Sequence, residues 1–184
     1  MKTLQELLKS LDACQGAREW AGDMTIEEVV KKCHRGDWLI WLAQKIGIEL
    51  RPLTLATALC AKTVLCLMKD KRSVNAVEVA ERFGRGEVTK EELNAAYAAA
   101  AAYAAPYADD AYAYAAYAAY AAYTDGYVYT AYTAAAYAAD AAYADDAAAD
   151  ATAACKANQL QTANICREII GDIIIQIVNA KLSC

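Results

Sequence analysis

The sequence predicts an all-α protein, a compact multi-helix bundle of about seven to nine helices with a long Ala/Tyr-rich helical hairpin at its centre. Three observations predict it. Apolar residues recur at helical spacing along most of the chain. Strand-type alternation between turn signals is scarce. Residues 95–154 contain thirty-three alanines and thirteen tyrosines among sixty residues, a composition led by the strongest helix former.

Taken in order, Leu4, Leu7, Leu8 and Leu11 stripe a first helix. Thr25 followed by Glu27 and Glu28 places a cap and then acids at the start of a helix over 25–33. Asp37, after Gly36, is expected to cap the next helix, which carries Trp38, Trp41 and Leu42 on one face and ends at Gly47. The two tryptophans are expected to anchor the core against the run 52–68. In that run Pro52 occupies a first helical turn and the residues after it are apolar on most sides, so the helix should be central. Ser73 starts another helix ending near Phe83–Gly84, and Thr89 with Glu92 forms a capping box for its successor.

The tract 95–154 as one helix would be about 90 Å long, whereas a compact chain of this length has a radius of gyration near 16 Å. It must fold back. Pro106 with Asp109 and Asp110 suits a new helix start, Thr124–Asp125–Gly126 a break, and Asp145, Asp146 and Asp150 a third. Alanine faces let helices approach closely, and tyrosines at 114, 117, 120 and 123 drift around the surface, which suits a helix surrounded by others. A final helix over about 151–181 aligns Ala163, Cys166, Ile170, Ile173 and Ile177. One domain, 1–184, is expected.

Composition narrows the function classes. Two prolines, eight glycines and 58% apolar residues exclude a disordered or collagen-like chain. An N-terminus of alternating charges lacks a signal core, and no membrane span is read, so a cytoplasmic location is expected. Residues 1–90 hold fifteen Lys/Arg and twelve Asp/Glu, whereas 91–155 hold nine acids and no base. Such a chain is a poor nucleic-acid binder and suits a basic protein partner. Seven cysteines without a CxxC pair, and His34 as the single histidine, do not make a zinc site. No metal or other cofactor is expected.

Catalytic motifs are wanting. Cys33–His34 are adjacent on the chain and do not face each other on a helix, and no G-x-S-x-G, P-loop or H-E-x-x-H pattern occurs. Arg35–Gly36–Asp37 prefaces a helix and does not read as an adhesion loop. The chain is not expected to be an enzyme.

The segments AREWAGDMTIEEVVKKCHRGDWLIWLAQKIGI (17–48), TALCAKTVLCL and AVEVAERFGRGEVTKEELNAAYAAAAAYAA resemble the immunity proteins of polymorphic toxin systems. More particularly, they look like an alanine-rich immunity-like family with a G-D-W-L-x-W-L signature and a Y-A-A tract. QTANICREII looks like that family's closing Q-A-x-x-x-R-E-x-I helix. The resemblance runs from about residue 14 to the end and implies an all-α protein that binds and neutralises a cognate toxin.

Two functions follow. As an inhibitor, the chain would meet a basic toxin with Asp109, Asp110, Asp125, Asp140, Asp145, Asp146 and Asp150. As a small-ligand binder, it would sequester an anionic nucleotide-like signal with Arg18, Lys31, Lys32, Arg35 and Arg51 beside aromatic rings.

Overall fold

The structure, a computed structural model, describes residues 2–65, 71–104 and 151–183. Among these every regular element is helical, and the helices pack as an all-α bundle. The breaks expected at Pro106, Thr124–Gly126 and Asp145–Asp150, and with them the hairpin, lie outside the described residues.

Local chemistry sets the helix starts. Thr3 caps α1 (Leu4–Ser10) and Thr25 caps α3 (Ile26–Lys32), each through a capping box closed by Glu6 or Glu28. Between them lies α2 (Gln15–Ala21). Helix α4 (Gly36–Ile46) stops at Gly47, whose φ of +85° suits a residue without a Cβ. Helix α5 (Leu50–Lys62) carries Pro52 in its first turn, where no helical N–H is lost. After α6 (Lys71–Gly84), the Thr89–Glu92 box opens α7 (Lys90–Ala104). The chain closes with α8 (Ala151–Cys166), a π turn (Arg167–Gly171) and α9 (Asp172–Ser183), which run on without a break.

Three expectations are corrected here. Asp37 does not cap α4: the cap position is Arg35, and Asp37 lies one residue inside the helix with its carboxylate on the Arg35 guanidinium. Helix α6 begins at Lys71 and leaves Ser73 buried within its first turn. The stripe on the last helix continues from Ile170 to Ile174 and Val178, not to Ile173 and Ile177, which are only partly buried.

The π turn explains that third correction. In an α-helix a four-residue step overshoots one turn by about 40°, so Cys166, Ile170, Ile174 and Val178 would spiral off one face. A π turn takes up an extra residue and returns them to it. All four are fully buried. Within the turn, Arg167 donates through Nη1 to the carbonyls of Val30 (3.3 Å) and Cys33. It thereby supplies a cation to the C-terminal carbonyls of α3.

Two cores result, divided by α5, which is central as expected. One joins α1–α4 to the C-terminal rod through Leu7, Ile26, Leu39, Ile40, Ile170 and Ile174. The other joins α5, α6 and α7 through Ala58, Val77, Ala80, Phe83 and Leu93. Helix α4 meets α8 at Gly36, where a Cβ would stand 2.7 Å from the Thr162 backbone. Beside that contact the thiols of Cys60 and Cys166, both fully buried, lie 3.8 Å apart.

Candidate functional site

All three tryptophans of the chain meet at one cavity. Trp20 comes from α2, and Trp38 and Trp41 from α4, three residues apart and so on one helix face. The cavity has a volume of about 370 Å³. Leu8 of α1, Val29 of α3 and Leu39 and Leu42 of α4 form its apolar walls, and Ala17 and Ala21 keep the α2 side shallow.

Trp38 and Trp41 pack against the main core, as expected of anchors, and also line this cavity. Both rings are only half-buried, and no residue lining the cavity comes from α5. The α4 face that packs deeply carries Ile40 and Ala43, which are fully buried. The tryptophans turn to the other side, toward α1, α2 and α3.

The aromatic wall is ordered by ring contacts and cations. Trp20 and Trp38 lie with centroids 5.9 Å apart, and the exposed His34 ring completes a triangle at 5.8 and 6.1 Å. Such tilted arrangements match the ring quadrupoles. Arg35 stands over Trp38 at 5.0 Å and Lys45 over Trp41 at 5.9 Å, both within cation–π reach. Arg35 is itself held by Asp37 through two bonds of 3.0 and 2.6 Å. That two-pronged pairing orients the guanidinium on the ring.

Few charges reach the cavity. Among the described residues its charged side chains are Lys45, half-buried, and Asp12, exposed in the α1–α2 turn. Cys14 also stands at this end, exposed, while Cys33 lies in the wall, buried, and donates to the Arg35 carbonyl at 3.3 Å. Burial pushes the Cys33 thiol up to about 11, so it remains protonated at neutral pH and is no nucleophile. Hydrogen bonding to Cys60 and burial raise the Cys166 thiol likewise.

Asp12 is unusual in its backbone. It is the one non-glycine with positive φ among the described residues, at 61°. The turn is a Schellman close: Asp12 N–H donates to Lys9 and Ala13 N–H to Leu8, at 3.1 and 2.9 Å. Glycine usually fills that position.

The residues expected to hold an anion are dispersed. Arg51 donates to the Phe83 carbonyl at 2.6 Å and stacks on its ring, tying α5 to α6. Lys31 is exposed on the last turn of α3, where Lys32 pairs with Glu28 at 2.8 Å. Arg18 lies in a different cleft with Gln5 and Glu19, and Arg35 is behind Trp38. None of the five lines the tryptophan cavity. Asp109, Asp110, Asp125, Asp140, Asp145, Asp146 and Asp150 lie outside the described residues.

Sequence reasoning passed over Asp12, Lys45 and the α2 wall at Trp20. Their convergence depends on how α2 docks on α4, and no spacing within one helix encodes it. Among the described residues no three His, Cys, Asp or Glu side chains form a group that could hold a metal ion. No helix among them is long and apolar enough to cross a membrane. No family model matches the chain, and no curated protein or solved structure matches it.

Proposed function

We propose that the chain is an immunity protein, which binds a cognate protein toxin and neutralises it without catalysis, and that the tryptophan cavity is part of its recognition surface. The observation that supports this reading is the position of the G-D-W-L-I-W-L segment. Its two tryptophans are half-buried beside a cavity, with cations on their rings. Tryptophan and arginine dominate interface hot spots, where a concave, desolvated anchor carries most of the binding energy. The sequence resemblance to the immunity-like family supports the same reading.

The test is growth rescue. A toxin gene adjacent to this one is expressed in a sensitive host with the unmodified protein, with Trp20→Ala or with Trp41→Ala. Full rescue by the unmodified protein, and loss of rescue by folded variants, is expected. No rescue by the unmodified protein removes the immunity reading.

A second reading, sequestration of a small molecule, is favoured by one observation. The cavity volume of about 370 Å³ falls within the range of small-molecule sites. A nucleotide-like polyanion is the weaker candidate for this place, because among the described residues Lys45 is the one cation lining it.

A further inference from the structure

We infer that the tryptophan cavity is a binding site for a small aromatic zwitterion, an aromatic α-amino acid in chemical class. It takes the ring among Trp20, Trp38 and Trp41 and meets the two charged ends with Asp12 and Lys45. The inference rests on the reading of the cavity as a recognition site, and needs no toxin.

Three observations carry it. The first is the lining. Apart from Asp12, Lys45 and two cysteines, every described side chain there is apolar or aromatic. At about 30 Å³ per molecule the space corresponds to roughly a dozen waters, and the walls offer them few hydrogen-bond partners. Replacing such water with a flat apolar group is favourable, and tryptophan faces select a ring for that group.

The second is the charge pattern. Among the described residues the cavity is lined by one acid, Asp12, and one lysine, Lys45, and these two do not form an ion pair with each other. A ligand with one charge would be attracted by one group and repelled by the other. A zwitterion matches both. A phosphorylated ligand with two or more negative charges would meet a single cation together with an anion.

The third is the backbone of Asp12. Asp and Asn tolerate the left-handed conformation better than other residues bearing a Cβ, but glycine, the usual residue, would close the same turn without a charge. The turn itself does not need a carboxylate. An acid therefore stands at the cavity rim where glycine is usual, and the charge it brings to this cavity is an anion.

Isothermal titration calorimetry on the full chain tests the assignment with four probes: L-tryptophan, tryptamine, indole-3-acetate and adenosine monophosphate. L-tryptophan is expected to saturate one site per chain. Tryptamine and indole-3-acetate should each bind about tenfold more weakly, the scale of one lost charge-assisted contact. Adenosine monophosphate should be the weakest. Asp12→Asn keeps a side chain that tolerates the turn. It should weaken L-tryptophan and tryptamine while leaving indole-3-acetate unharmed. Lys45→Met should weaken L-tryptophan and indole-3-acetate but not tryptamine.

The inference is overturned if L-tryptophan shows no saturable binding into the millimolar range. It is equally overturned if the two single-charge analogues bind as tightly as L-tryptophan, or if adenosine monophosphate binds tightest. Rescue of growth without binding of any probe would end this inference and leave the immunity reading standing. Binding of L-tryptophan without rescue would do the reverse.

Discussion

At the scale of the residue, Asp12 links stability to the cavity. Its positive φ of 61° is strained, whereas glycine there loses only chain entropy. Asp12→Gly should therefore raise the unfolding free energy by about 0.5 kcal/mol, what remains of the relieved strain after glycine's entropic cost. Urea denaturation followed by circular dichroism measures it. A lower midpoint would mean that the carboxylate stabilises the turn, and would remove its place there as an indication of function. The tryptophans make the same point from another side. Trp38 and Trp41 read as core anchors from the sequence, and the structure packs both on the core yet leaves them half-buried beside a cavity, where Trp20 joins them.

Elements are tied together by a few charged groups, and two ties can be tested. Glu81 of α6 accepts from Lys62 of α5 at 2.6 Å and from Arg85 one turn on, at 2.8 Å. Chiefly the Lys62 hydrogen bond holds its carboxyl below the usual carboxylate range. A folded pKa below the unfolded one adds stability at neutral pH that disappears as pH falls through the folded value. Glu81→Gln should consequently lower stability at pH 7 and flatten its loss on acidification, in urea midpoints between pH 7 and pH 3. Parallel curves would show that the α5–α6 tie contributes nothing.

The π turn gives a sharper contrast on the C-terminal rod. Deleting the exposed Glu168 should convert the turn to α-helix, because Cys166, Ile170, Ile174 and Val178 would then fall on one face at ordinary helical spacing. Unfolding midpoints should change little. Deleting Gln176 instead rotates the fully buried Val178 by about 100°, at a cost of about 2 kcal/mol for its exposure. Equal losses for the two deletions would refute this account of the register.

Over the whole molecule the charges are segregated. Residues 91–155 carry nine acidic groups and no basic one, so their field is not cancelled along the chain. Against a basic toxin this field should speed encounter and weaken with salt over about 8 Å at physiological ionic strength. Replacing Asp109, Asp110, Asp145 and Asp146 with asparagine should slow association at low salt and leave the rate at high salt nearly unchanged. Stopped-flow measurement at two ionic strengths decides it. A rate that does not respond to the four substitutions would place recognition elsewhere, with the cavity as the next surface to test.

How much of this was legible in the sequence follows from the range of the forces involved. The helical class, the cap at Thr25, the capping box at Thr89, the stop at Gly47 and the central α5 were readable because caps and periodicity act within a few residues. The acidic third was also a property of the sequence alone. The π turn was not readable, because it satisfies the contacts of Ile174 and Val178 with other helices and no local preference. Asp37 read as a cap because short acids usually are, and it became instead the partner that holds Arg35 on Trp38. Above all, the direction in which Trp38 and Trp41 point was a tertiary decision. Helix α4 has two faces apolar enough to bury, and the close contact of Gly36 with Thr162 commits one of them to the C-terminal rod. The other face is left for Trp20 to meet, and the cavity exists because bulky rings from two helices cannot fill the space between them as closely as Ile40 and Ala43 fill theirs.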